Sequence, residues 1–150
     1  MNTRFLIPGR GRNLVALLFA FALAASVSAQ DATANDDLAK GPVTKELEGG
    51  IVARLEILPR PIESMKSLAI SVTLTRDGKP VEGAELTLDL GMPAMYMGKN
   101  SPTMTETSPG HFEGKGLVTR CMSGDKHWQA EITVKEGGAS RKIVFPFIAL

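Results

Sequence analysis

A strict alternation of apolar and polar residues runs through most of the chain after Gly50, and this alternation decides the class of fold. Residues 68–75 are the clearest case, with leucine, isoleucine and valine at every even position and alanine, serine or threonine between them. A period of two places all apolar side chains on one face of a strand and the polar ones on the other. The same pattern predicts strands over residues 51–58, 86–90, 111–119, 128–135 and 143–147, with residues 103–107 as a short seventh.

Short turns rich in glycine and proline separate these strands, and no stretch after Gly50 has the period of a helix. Asp77-Gly78-Lys79-Pro80 and Glu136-Gly137-Gly138 are the clearest turns. Half-buried strands in such a series are typical of a sandwich or a small barrel. We expect an all-β fold, an immunoglobulin-like antiparallel β-sandwich of about seven strands. Trp128 occupies an inward position, which favours a core residue over an exposed binding residue.

The first 29 residues have the three parts of a secretory signal peptide. Arg4, Arg10 and Arg12 precede an apolar run over residues 14–25, and Val27-Ser28-Ala29 supplies the small residues that signal peptidase requires. An uncleaved anchor is the alternative, but the run is shorter than the roughly 20 residues that span a bilayer. We therefore expect an exported, periplasmic protein with no transmembrane segment after cleavage. Residues 30–50 are polar and predict a flexible linker, and residues 51–150 form the domain.

Charge and motifs exclude several classes of function. Beyond the leader the chain has 14 basic and 16 acidic residues, so it lacks the basic field of a nucleic-acid binder. The motifs of serine hydrolases, P-loop and dinucleotide-binding proteins, CxxC redox proteins and HExxH metalloproteases are missing from the sequence. A single cysteine, Cys121, leaves the domain without an internal disulfide. The sequence therefore predicts a binding protein and no catalytic site.

Methionine is concentrated in one segment. Met92, Met95 and Met97 fall within six residues of a turn-rich stretch, and Met104 follows seven positions later. A thioether is neutral and polarizable, so it binds Cu(I) and ignores hard cations. Pro93 bends the chain so that Met92 can face the same point as the other two. The same residues are also compatible with a core plug, or with a docking patch for an envelope protein such as an oxidase-assembly or efflux component.

Four other residues are candidate ligands for copper. Imidazole at His111 or His127 would add affinity for Cu(II), and a thiolate at Cys121 or a thioether at Met122 would add affinity for Cu(I). Each residue also has an ordinary role, because surface histidines and buried cysteines are common. Whether they lie near the methionine segment depends on strand topology, which the sequence leaves open.

Four short motifs occur in a fixed order along the domain. They are DGKPVEGA at residues 77–84, MPAMYM at 92–97, PGHFEG at 109–114 and HWQAEI at 127–132. In this order they resemble the YtkA-like domain family and, more distantly, FixH-type proteins of cbb3 oxidase assembly. The resemblance covers roughly residues 51–147.

The resemblance implies an immunoglobulin-like envelope domain of the kind found beside copper-handling or oxidase-assembly proteins. The methionine motif of the family falls on Met92, Met95 and Met97. Two features depart from the family pattern. His127 stands where a small turn residue usually precedes the tryptophan, and Cys121 is a thiol that the pattern does not require.

Overall fold

A computed structural model describes residues 37–150, and the predicted signal peptide and the first part of the linker lie outside this range. The described residues form two antiparallel sheets around one core, which confirms the predicted all-β sandwich. They contain no helix, and so none long and apolar enough to cross a membrane. The strands are β1 (Val43–Leu47), β2 (Ile51–Leu58), β3 (Leu68–Arg76), β4 (Lys79–Pro80), β5 (Glu85–Gly91), β6 (Met104–Ser108), β7 (His111–Gly116), β8 (His127–Glu136) and β9 (Ala139–Ile148).

The strand order is that of an immunoglobulin domain with one strand added at an edge. One sheet has the order β1-β2-β3-β7-β6, with the two-residue β4 paired to β3, and the other has the order β5-β8-β9. Without β1 and β4, the remaining seven strands reproduce the four-plus-three arrangement of a constant-type immunoglobulin sandwich. This is the predicted architecture.

The core lies between the sheets and follows from the alternation. Inward residues meet across neighbouring strands, as Val72 does with Phe112 and Leu88 with Ile132. Trp128 is 2% exposed and packs in this core, so the interpretation of it as a core residue is confirmed. Among residues 37–150, no polar or charged residue is buried. Burial of apolar area is therefore the main stabilising contribution.

The prediction of a flexible linker over residues 30–50 is wrong in its second half, because residues 43–47 form strand β1. This strand pairs antiparallel with β2 over five residues, and Val43 and Leu47 bury their side chains at its two ends. Leu38 is fully buried ahead of it. Only these few apolar residues mark the segment, since an edge strand that contacts the core at two positions needs no long alternation. The compact domain therefore begins before residue 51.

The two ends of the sandwich differ in their connections. Tight turns at residues 48–50, 77–84, 109–110 and 137–138 meet at one end, which we call the hairpin end. Longer loops at residues 59–67, 92–103 and 117–126 meet at the other, which we call the methionine end, together with residues 37–42 and 149–150. The strand register supports this assignment of the loops to the two ends. For example, β5 starts opposite Lys135 at the hairpin end and finishes opposite Gln129 at the methionine end.

Candidate metal site

A tight turn directly after β5 brings two methionines face to face. Met92 and Met95 form an isolated antiparallel bridge, and the Met95 amide donates a hydrogen bond to the Met92 carbonyl oxygen at 3.4 Å. Pro93 and Ala94 occupy the corner of the turn. Residues directly opposite each other in an antiparallel bridge project to the same side, with Cβ atoms about 5 Å apart. The turn thus brings the two methionine residues next to each other, with Met92 in the core and Met95 exposed.

Met97 lines the same groove as Met92 and Met95. The groove has a volume of about 680 Å³, and Met92, Met95 and Met97 all line it. Met92 is buried, Met97 is half-buried against the core, and Met95 is 46% exposed. The group therefore has a fixed inner member and an outer member within reach of solvent. We call these three residues the methionine trio.

The floor of the groove is the outer face of β5 and β8, and its carboxylates are already engaged. Asp89 accepts a hydrogen bond from the Ser101 hydroxyl. Glu131, its cross-strand partner, accepts one from the Lys142 ammonium at 2.6 Å, and this contact raises the pKa of Lys142. A cation that prefers oxygen would compete with these contacts, whereas a soft cation that prefers sulfur would leave them intact. The groove therefore combines three methionines with carboxylates that already accept hydrogen bonds.

His127 lies on the same outer face, two residues before Gln129 in β8. A second cavity of about 290 Å³ is lined by both His127 and Pro93, and Pro93 also lines the methionine groove. The His127 Nδ1 is 2.7 Å from Asp125 Oδ1. A carboxylate on one ring nitrogen fixes the ring and leaves the other nitrogen for a metal. Hydrogen bonds from the His127 amide and ring lower the pKa of Asp125, which keeps it charged for this role.

The structure separates Met104 and His111 from the methionine trio. Met104 begins β6, and its sulfur packs over Gly114 of β7, where it does not line the groove. His111 begins β7 at the hairpin end, opposite Thr73. Its Nδ1 is 3.0 Å from the Thr73 hydroxyl, and its Nε2 is 3.3 Å from Glu113. Neither residue shares a cavity with the trio.

Cys121 and Met122 lie in the loop of residues 117–126, at the same end as the trio but outside its groove. Cys121 is buried, and its thiol lies 3.0 Å from the Ser123 hydroxyl, a contact that lowers the pKa of the thiol. Met122 is fully exposed. The adjacent side chains thus point into different environments, and they do not form one site with each other.

Sequence reasoning missed the polar half of the site. Asp89, Gln129 and Glu131 line the groove, and Asp125 orients His127. Alternation already placed Asp89, Gln129 and Glu131 on the polar face of their strands, but it could not show that β5 and β8 are neighbours. Within residues 37–150, no group of three histidine, cysteine, aspartate or glutamate residues could hold a metal ion.

Comparison with known proteins agrees with the motif order. The YtkA-like family matches residues 52–133, which is more than half of the chain. The chain belongs to the YtkA-like family. The matched region of this YtkA-like protein contains the whole methionine trio and the Asp125–His127 pair. No curated protein matches the chain.

One solved structure similar to this YtkA-like protein is a DUF4785 family protein from Legionella pneumophila subsp. pneumophila str. Philadelphia 1. The two superpose with a TM-score of 0.50 at 17% identity, over 67% of this chain. The match spans only 29% of the Legionella chain. At this identity the likeness supports the sandwich fold alone.

Proposed function

We propose that this YtkA-like protein is an exported, periplasmic copper-binding protein that holds Cu(I) through Met92, Met95 and Met97. The observation that carries the proposal is a single groove that Met92, Met95 and Met97 all line and whose carboxylates already accept hydrogen bonds. His127, oriented by Asp125, supplies a fourth donor at the margin of the site. In this arrangement Met104, expected from the sequence as a fourth ligand, serves packing.

The chemistry of the trio suits a protein that passes copper on. Thioethers carry no proton at any ordinary pH, so metal binding releases none and continues in an acidic envelope. Neutral sulfur ligands hold Cu(I) less tightly than thiolates do, and the partly exposed Met95 is accessible to an acceptor. We infer delivery of copper to, or assistance in assembly of, an envelope complex, and no catalytic step.

The test is a Cu(I) titration of the purified protein against a chromophoric Cu(I) chelator under anaerobic, reducing conditions. We expect competition at about one equivalent, lost when Met92, Met95 and Met97 are all replaced by leucine, which keeps volume and removes sulfur. The matched control replaces Met65, Met104 and Met122 by leucine and leaves the groove untouched. Equal copper affinity in the wild type and the trio variant would contradict the proposal.

Export has its own test, independent of copper. Expression of the full chain in a bacterial host and mass spectrometry of the periplasmic fraction should give a mature N-terminus at Gln30. Recovery only from the membrane fraction, with residues 1–29 retained, would show that these residues are an uncleaved membrane anchor and not a cleaved signal peptide.

A further inference from the structure

The exposed apolar side chains of residues 37–150 are gathered at the methionine end. Nine large apolar residues of this range are exposed, and Val144, in the middle of β9, is the one that lies elsewhere. Scattered exposed apolar residues are normal, but a group on one surface marks a contact with another partner or phase. The eight at this end are Leu58, Met65, Met95, Tyr96, Leu117, Met122, Ile148 and Leu150.

Hydrogen bonds join the loops of this end into one surface. The Asn100 side-chain amide donates to the Leu117 carbonyl at 2.9 Å, which ties loop 92–103 to loop 117–126. The Met65 amide donates to the Val118 carbonyl at 2.7 Å, which ties in loop 59–67. The apolar residues are therefore presented together, and contact requires little further ordering of the backbone.

Charge at the same end is positive. Its loops contain six basic and three acidic residues. All three acidic side chains are engaged locally, by Lys40, Lys66 and His127. Three exposed cations, Lys99, Arg120 and Lys126, have no ion pair within the described residues, and they flank the most exposed apolar side chains, Tyr96 and Met122.

We propose that the methionine end docks on a bilayer surface that contains anionic phospholipid. Tyr96 has the amphipathic ring that favours the interface between headgroups and acyl chains, and Met122 offers a flexible apolar tip. Lysine and arginine side chains are attracted to an anionic surface, and their aliphatic stems lie along the apolar boundary. This attraction would act beside Tyr96 and Met122, because these two side chains are flanked by Lys99, Arg120 and Lys126.

Lysine footprinting of the full chain tests the orientation directly. The protein is acylated with a water-soluble reagent, with and without vesicles of phosphatidylcholine and phosphatidylglycerol, and each lysine is quantified by mass spectrometry. We expect acylation of Lys99 and Lys126 to fall about threefold, because lipid headgroups attract these ammonium groups and shield them from the reagent. Lys79 and Lys135 at the hairpin end are the internal control and should keep their reactivity.

Two variants separate docking from attachment through the N-terminal segment. Replacing Tyr96 and Met122 by serine removes exposed apolar surface without touching the core, so the fold should survive, as circular dichroism can check. In this variant, and with vesicles of pure phosphatidylcholine, we expect the protection of Lys99 and Lys126 to disappear. The proposal does not rest on copper binding, since neither Met122 nor any cation named belongs to the methionine trio.

Several results would overturn the proposal. These are equal protection at both ends, protection that persists in the serine variant, or protection that is the same without anionic lipid. Failure of vesicles to protect Lys99 and Lys126, with protection by an envelope protein extract instead, would make the surface a protein-docking site. Copper titration of the single variant Met122→Ser should match the wild type whichever result is obtained, because Met122 does not line the groove.

Discussion

The two ends of this sandwich differ in the length of the loops that connect their strands and in the side chains that these loops carry. At the hairpin end, turns of two or three residues join β1 to β2, β3 to β4, β6 to β7 and β8 to β9. An ion pair between Arg76 of one sheet and Glu136 of the other connects the two sheets there, with nitrogen–oxygen distances of 2.9 and 2.6 Å. At the methionine end, three loops of nine to twelve residues carry the trio and the exposed apolar surface. Short turns leave few side chains to vary, whereas long loops held by a rigid frame can carry binding groups.

The difference shows how one framework divides stability and binding between its ends. The Arg76 guanidinium also donates to the Gly49 carbonyl at 3.1 Å, so it fastens the β1–β2 turn as well. The methionine end has backbone hydrogen bonds between its loops, but its three unpaired cations and its large exposed side chains contribute little to folding. We expect substitutions at the first end to change stability and those at the second to change binding.

The largest contrast is expected between two glycines with left-handed backbones. At the hairpin end Gly110 has φ of +67°, and a Cβ there would lie 2.6 Å from the Leu74 carbonyl oxygen. Gly98 in the methionine loop has φ of +87° and nothing within 4 Å of such an atom. Gly110→Ala should cost about 3 kcal/mol or more from strain and crowding, and Gly98→Ala about 1–2 kcal/mol from strain alone. Urea unfolding of both variants measures the difference, and similar losses would break the contrast between the ends.

Copper affinity should depend on the methionines that line the groove and not on Met104 in the neighbouring strand β6. Met97→Leu removes one of three sulfurs and should weaken Cu(I) binding about tenfold, which corresponds to 1.4 kcal/mol. Met104→Leu, the matched control, should leave affinity unchanged because its sulfur packs over Gly114. Chelator competition measures both. An equal loss in the two variants would extend the site to β6.

The ion pair at the hairpin end should make stability depend on pH at the acidic side. Arg76 holds the pKa of Glu136 below its ordinary value of 4.5. A carboxyl with a lowered folded pKa stabilises the fold above its unfolded pKa, and this stabilisation is lost as the pH falls through the folded value. The wild type should therefore melt above Glu136→Gln at pH 7, with the gap closing below pH 4.5.

Thermal melts of the two proteins from pH 7 to pH 3 test this closing of the gap. Glu48→Gln, an exposed residue of the same end without an ion pair among the described residues, is the control and should match the wild type throughout. A gap that stays constant with pH would assign the effect of Glu136→Gln to packing.

The smallest expected effect is a change in tryptophan fluorescence. Trp128, the only tryptophan of the chain, lines the cavity that also contains Pro93, next to Met92 in sequence. Binding of Ag(I), a soft heavy cation that mimics Cu(I), should slightly quench its emission. The quenching should vanish in the trio variant and persist in Gly110→Ala if that variant is folded. Equal quenching in the trio variant would place the cation elsewhere.

Local signals in the sequence were enough for the strands. Alternation is read within a few residues, and it located the seven strands of the immunoglobulin arrangement, although β7 ends at Gly116 and not at residue 119. The spacing of Met92, Met95 and Met97 around Pro93 predicted a shared site; the three residues line one groove, and binding of a metal there stays a prediction. Strand β1 was missed because two buried residues make no visible pattern.

The partners of the trio could not be read locally, because they are distant in the chain. Asp89 and Glu131 are neighbours only through the pairing of β5 with β8. His111 and His127 look alike in sequence, each at the start of a strand, yet they lie at opposite ends because β7 and β8 run in opposite directions between the ends.

The sequence by itself determined that this chain makes half-buried strands around an apolar core, since alternation depends on residues a few positions apart. The tertiary structure alone decided which histidine shares a cavity with Pro93 and that the carboxylates of the groove already accept hydrogen bonds. It also decided that apolar side chains share one end with cations that have no ion pair among the described residues. The physical reason is that sheet pairing joins residues tens of positions apart, as Arg76 meets Glu136, and no local pattern records which strands become neighbours.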